Sequence, residues 1–274
     1  MKGTIRLAIL TLVCWCTVTY TYAQATTNTA DSIKKNTPRI IHQTPPKGPK
    51  AIKNEVSVGF RLNTNGWSAY TDIGKVKALD SKRTDMFYKT RVLQVEFTEK
   101  KNPKEEKITS DLASSSGGSS KYIYGKINNF YALKLGLGFT KMIVGKPDPG
   151  TVSIHWLNIV GVSLGMLKPY YLNVYGDPDA IKYTPSTESQ FLSQQTIEGS
   201  AGFSKGLSEM KFIPGGHFKS ALHFDFSTNR KNIFAAEAGV NIEYYSQAVN
   251  LLANQSGTPY FVDLFIAIQF GRRW

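Results

Sequence analysis

Cysteine is nearly absent. Cys14 and Cys16 are the only two, and both lie in the first 23 residues. If that stretch is removed, no disulfide scaffold and no thiolate nucleophile or thiolate metal ligand is left, even in an exported setting where disulfides persist. Long hydrophobic runs are missing too. Beyond residue 23 nothing approaches the roughly eighteen consecutive apolar residues of a membrane-crossing helix. Acidic residues are few, with 20 Asp and Glu against 33 Lys and Arg for a formal charge of +13. Histidine occurs four times, which limits acid–base and metal chemistry to a handful of positions. No nucleophile elbow of the Gly-x-Ser-x-Gly type is expected. Gly136-Leu-Gly138 lies inside an extended pattern with no following helix, which excludes a phosphate loop.

Residues 1–23 read as a secretory signal: Lys2 and Arg6 precede a short apolar core, Leu7–Val18, and Ala23 offers a small residue for cleavage before Gln24. Neither cysteine follows the small residue a lipoprotein signal needs. Export removes nucleic acid from the possible partners. The basic balance then points to anionic lipid headgroups, lipopolysaccharide phosphates or peptidoglycan. Residues 24–53 are rich in Thr, Asn, Lys and Pro, contain Pro45-Pro46-Lys-Gly-Pro49, and are expected to be a disordered, basic periplasmic tail.

From residue 54 onward the pattern is strand after strand. Val56, Val58, Phe60 and Leu62 alternate with Glu55, Ser57, Gly59 and Arg61, and Asn63-Thr-Asn-Gly66 is a tight-turn signal. Further strands are expected at 67–75, 86–99 and 128–144, at 152–175 with a bend at Pro169, and at 216–226, 233–246 and 259–274. In the last, Tyr260, Val262, Leu264, Ile266, Ile268 and Phe270 form one unbroken apolar row, and Trp274 shares its parity. The polar stretches 99–121 and 177–215 are long; those at 77–84, 145–150 and 228–232 are short. An even strand count with short turns on one side and long loops on the other is the pattern of an outer-membrane barrel. The fold class expected is therefore all-β: a transmembrane antiparallel up-and-down barrel of eight strands (ten being the alternative) over residues 54–274, with both termini in the periplasm.

An eight-stranded barrel is just wide enough inside for side chains to fill it. The inward rows carry Lys134, Lys219, His223, Asp225, Glu237, Glu243 and Asp263, expected to be a network of mutually paired charges. His155 and His217 share that parity, but no two histidines stand two residues apart on one strand, and neither a metal site nor a cofactor is expected. Aromatics near strand ends (Trp67, Tyr70, Tyr122, Tyr124, Tyr170, Tyr171, Tyr175, Tyr244, Tyr245 and Trp274) suit interfacial girdles. Lys100–Lys107 reads as a solvated loop of mixed charge.

Thr64-Asn-Gly-Trp67, Lys101-Asn-Pro-Lys-Glu-Glu106, Tyr122-Ile-Tyr-Gly-Lys-Ile-Asn-Asn-Phe-Tyr131 and Gln269-Phe-Gly-Arg-Arg-Trp274 together resemble a group of outer-membrane β-barrels from the Bacteroidota. The resemblance covers residues 55–274. It implies an outer-membrane barrel and a C-terminal assembly signal at Phe270 and Trp274, and it carries over no catalytic residue. Small barrels of that phylum include accessory subunits of assembly or secretion machineries, so a partner complex in the outer membrane is one expectation. A lipid- or envelope-modifying enzyme using His223 with Asp225 or Glu237, and a narrow channel, are the alternatives.

Overall fold

A computed structural model describes residues 52–78, 88–110, 112, 120–145, 151–229 and 231–274. The expected signal and nearly all of the basic tail lie outside them, as do most of the 77–84 and 145–150 connections.

Eight long strands close into an antiparallel barrel: β1 (Asn54–Asn63), β2 (Gly66–Ala78), β3 (Tyr88–Lys100), β6 (Asn128–Val144), β7 (Ser153–Pro169), β11 (Lys211–Asp225), β12 (Asn232–Val249) and β13 (Thr258–Arg273). Each pairs with its neighbour in sequence. The ring closes where β1 meets β13, in the register Val58↔Phe270, Phe60↔Ile268 and Leu62↔Ile266. The Trp274 carbonyl accepts from the Lys53 and Asn54 amides at 2.9 Å at one end of the seam and the Leu264 carbonyl from the Thr64 amide at 3.0 Å at the other, so neither end is a bare edge.

The barrel is inverted relative to a soluble protein. Its outer rows are apolar and exposed, with Leu137 at 65%, Val160 at 63% and Leu264 at 66%. The inward rows are polar and buried: Arg61, Lys100, Lys134, Lys219, Glu243 and Asp263 are each at most 1% exposed. Strand alternation produces this directly, because successive side chains point to opposite faces. Eight barrel strands, one apolar face and one polar face are what the alternation and loop lengths predict.

At the end away from the termini the long excursions build a cap. The 99–121 stretch, read as a plain loop, contributes β4 (Lys107–Thr109) paired with β5 (Lys121–Ile123). The second excursion contributes β8 (Tyr171–Val174), β9 (Ile181–Lys182), β10 (Ile197–Ser200), the one-turn helix α1 (Glu188–Phe191) and a 3₁₀ turn at Leu207–Glu209. Tyr122, Leu172, Phe191 and Ile197 form its small core. The cap is tied to the barrel rim by a bridge between Lys126 and Leu252, and by the Ile127 amide donating to the Leu251 carbonyl at 2.9 Å.

Three expectations need correction here. The 152–175 stretch is not one bent strand, because β7 ends at Pro169 and β8 joins the cap sheet. The strand expected from Gly216 begins earlier, at Lys211. Pro214 is tolerated there because β11 pairs with β12 only from Gly215 onward, so Pro214 has β7 alone beside it and its missing N–H breaks no second ladder. Finally, Tyr70, Tyr122 and Tyr245 do not belong to a surface girdle. Tyr70 and Tyr245 are buried in the lumen and Tyr122 in the cap. The expected Trp67 does lie on the outer rim, in a ladder with Phe60, Phe97, Tyr131 and Phe203 whose successive ring centres are 5.9 to 6.1 Å apart, and the expected Tyr244 is exposed opposite Tyr260.

Candidate functional site: the filled lumen

Three layers fill the barrel. Nearest the cap is an apolar plug, where the Phe130 ring meets Tyr245 edge-on at 5.0 Å and stacks on Phe261 at 5.6 Å, with Ile213 and Leu251 beside them. Aromatic contacts of this kind add about 0.5–1.5 kcal/mol each beyond the area they bury.

The middle layer is ionic. Arg61 Nη1 donates to both Glu96 oxygens at 2.9 Å. Lys134 bridges Glu96 at 2.9 Å and Glu243 at 2.6 Å. Lys100 bridges Glu243 at 2.9 Å and Asp263. Tyr245 Oη and Asn241 Nδ2 each donate to Glu243 at 2.6 Å. Lys219 donates to Glu237 at 2.8 Å, and His223 Nδ1 lies 3.1 Å from that carboxylate. Arg61 and Lys219 are both stacked against the Tyr70 and Phe265 rings, at 4.5–5.3 Å. Buried charges of this density persist only when each is neutralised and hydrogen-bonded, since an isolated one would cost several kcal/mol.

The third layer lies toward the termini. Gln94 and Gln269 donate to the two Asp72 oxygens at 2.6 and 2.8 Å. Arg273 holds Asp225 at 2.7 Å and Glu55 at 3.0 Å. His155 and His223 face each other across β7 and β11, their ring centres 5.7 Å apart. A small polar cavity opens between Ser57, Asp72, Thr90, His155, His223 and Gln269.

Each of Lys134, Lys219, His223, Asp225, Glu237, Glu243 and Asp263 is thus buried and has a partner in the lumen. Sequence reasoning left out Arg61, Glu96 and Lys100. Arg61 stands on an inward row drawn above and Glu96 within the strand expected at 86–99, so parity could have found them. Lys100 is no loop residue, because it is the last residue of β3 and its ammonium is fully buried.

The letters of a nucleophile elbow do occur, at Gly161-Val-Ser-Leu-Gly165, which corrects that expectation. Ser163 Oγ even sits 3.0 Å from His217 Nδ1. The surroundings are wrong for acyl transfer. The pentapeptide runs straight through the middle of β7 rather than turning from strand to helix. Packing also leaves no room for a substrate carbonyl: a Cβ added at Gly161 would lie 2.7 Å from the His217 ring, and one at Gly136 2.9 Å from it. These glycines let β6 and β7 approach closely, with Ile159 and the His217 ring packed over them. The two candidate acid–base pairs fare no better, since His223 shares Glu237 with Lys219 inside the wall and Asp225 is taken up by Arg273. Among the described residues no group of three His, Cys, Asp or Glu is placed to hold a metal ion.

Outside the barrel, in the cap, Glu209 accepts from Tyr171 Oη at 2.5 Å and from Lys182 Nζ. The Lys182 hydrogen bond, seconded by Tyr171, holds the Glu209 carboxyl below its usual range, and Glu209 in turn raises both Tyr171 and Lys182. The trio ties β8 and β9 to the 3₁₀ turn.

No protein-family model matches the chain, and no curated protein matches it. Among solved structures it is similar to Neisserial surface protein A, at 7% identity over 80% of this chain and 96% of that one, with a TM-score of 0.37. It is also similar to Ail, the attachment invasion locus protein of Yersinia pestis. In the complex with the heparin analogue sucrose octasulfate, identity is 8% over 82% of this chain and all of that one, with a TM-score of 0.37. At these values the likeness carries no argument about function, and the barrel assignment rests on the strand pairing itself.

Proposed function

We propose that this chain is an integral outer-membrane β-barrel with a sealed lumen, non-enzymatic, acting as a structural or accessory subunit of an envelope assembly or secretion machinery. One observation carries the reading: a closed barrel whose outward rows are apolar all round while its charges are paired inside. In water such a surface drives aggregation, whereas in a bilayer it is the lowest-energy arrangement. On this reading both termini face the periplasm with the three shorter connections, and the cap faces outward. The exposed Lys104, Lys107, Lys121 and Lys205 of the cap then meet lipopolysaccharide phosphates. Phe270 and Trp274, on the outward row of the last strand, serve as the C-terminal assembly signal. Within the described residues His223 and Asp225 are taken up by Glu237 and Arg273 and aromatic side chains fill the lumen, which favours a partner-binding role over the enzyme and the channel.

Fractionation of envelopes followed by affinity purification of the tagged full chain tests it in two steps. The chain should sediment with outer membranes and resist alkaline carbonate extraction; recovery in the soluble fraction overturns the membrane assignment. Co-purification of barrel-assembly or secretion components supports the accessory role, and isolation of the chain alone counts against it.

A further inference from the structure

We propose, building on the outer-membrane reading above, that the outer wall beneath the cap carries a binding site for a phosphorylated outer-leaflet glycolipid, with Lys168 holding its phosphate. Lys168 ends the outward row of β7, sharing the parity of Val160, Val162, Leu164 and Met166. It pairs with Asn129 of β6, beside the Tyr131↔Met166 pair. On that reading the cap ends of β6 and β7 stand at the level of the outer-leaflet headgroups.

Lys168 is only 2% exposed, because the cap segment 201–210 is folded down over it. The Phe203 ring meets Tyr131 edge-on at 6.1 Å, and the Lys168 ammonium lies over that ring at 5.0 Å. A Cβ added at Gly206 would sit 2.8 Å from the Pro169 carbonyl oxygen, so the segment is pressed against the end of β7. A lysine so buried is almost always paired. The others buried to this degree obey the rule: Lys100, Lys126, Lys134 and Lys219 each hold a carboxylate. Lys168 is bonded to none among the described residues, and meets an aromatic face instead. An anion from outside the chain completes the set.

The surroundings select its kind. Exposed Lys205 lies two residues beyond Phe203, and exposed Lys211 pairs with Leu167 on the strand next to Lys168. Glu209 in the same segment is taken up by Tyr171 and Lys182. Positive charge is therefore unopposed here, and an ammonium is a good point-charge partner for phosphate. Apolar surface starts at once beside it. Phe203 is 66% exposed, and its ring leads through Tyr131, Phe97 and Trp67 to Phe60. A free phosphate would leave that ladder bare, whereas a phosphate bearing acyl chains covers it. Basic residues at a membrane-facing surface recognise anionic headgroups in this way.

The full-length mature chain in mild detergent tests the site, with phosphorylated lipid A as the probe and native mass spectrometry as the readout. The phosphorylated lipid should bind at least about tenfold more tightly than the same lipid stripped of phosphate, the step a lost hydrogen bond to a charged group produces. Lys168→Gln should weaken it by a similar factor. Lys141→Gln, at an outward lysine paired with Trp156 toward the other end of the wall, should leave it unchanged. Heat-modifiable electrophoretic migration shows that each variant is folded. Equal binding of the two lipids overturns the proposal, as does wild-type affinity in folded Lys168→Gln. Displacement of the lipid by inorganic phosphate also overturns it, since the acyl chains would then contribute nothing. Recovery of the chain in the soluble fraction of envelopes brings down the membrane reading and this site with it. Recovery in outer membranes with unaltered Lys168→Gln binding brings down the site alone.

Discussion

Glu96 is the hinge of the ionic layer, since among the described carboxylates it alone is bonded to both Arg61 and Lys134. Glu96→Ala strands a guanidinium that is fully buried and deprives Lys134 of one of its two partners. Breaking one partner of a buried pair costs about 3–5 kcal/mol, and urea titration of the refolded barrel in micelles should show a loss of that size. A loss under about 1 kcal/mol would mean that water already reaches Arg61 in the lumen. At this scale the sequence was half legible. Strand parity told which charged side chains turn inward, because it depends only on local alternation. Which charge meets which does not: Lys100 and Asp263 are 163 residues apart and touch only once the register of every intervening strand is set. The His155–His223 pair escaped for the same reason. A search for histidines two apart examines one strand, whereas adjacency across a sheet comes from pairing.

Among the elements, the β1–β2 hairpin is the one most fully specified by its own residues. Gly66 has φ +150°, and a Cβ there would sit 1.9 Å from the Glu99 carbonyl oxygen of β3. The glycine therefore does two jobs, a backbone conformation unwelcome to L side chains and close approach of a neighbouring strand. Gly66→Ala should cost more than the roughly 1 kcal/mol typical of an unsuitable glycine replacement, read as a shift in urea midpoint; an unchanged midpoint would show that β3 moves away at no cost. Turn chemistry of this kind is local, and Asn63–Gly66 announced it. The cap was not legible in the same way. Its strands are two to four residues long, too short for alternation to register. Their stability derives from Tyr122, Leu172, Phe191 and Ile197 meeting from distant parts of the chain. Pro169 and Pro214 mark the limit of reading proline as a strand breaker. Both lie in strands, one as the last residue of β7 and the other where β11 has a single neighbour.

For the whole molecule, strand number decides what the lumen can do. Eight strands enclose a space that side chains fill, and here the fill is layered: aromatic plug under the cap, paired charges at mid-height, hydrogen-bonded amides and carboxylates toward the termini. An ion crossing the barrel would have to displace Phe130, Tyr245 and Phe261 from one another and then pass between Lys134 and Glu243, which are 2.6 Å apart. Separating buried, mutually bonded charges is costly in a low-dielectric interior, so transient opening is rare rather than graded. Planar bilayers containing the purified chain should therefore show no discrete conductance steps at neutral pH. The lock is doubled, which makes a combined variant the stricter measurement. Tyr245→Ala together with Phe261→Ala removes the plug but leaves the ionic layer, and should remain silent. Adding Lys134→Ala and Glu243→Ala also opens the centre of the ionic layer with no net change in charge, and should yield small steps if that pair is the true barrier. Steps from the wild-type chain would instead restore the channel reading, because they would require a path through a lumen in which paired side chains leave none.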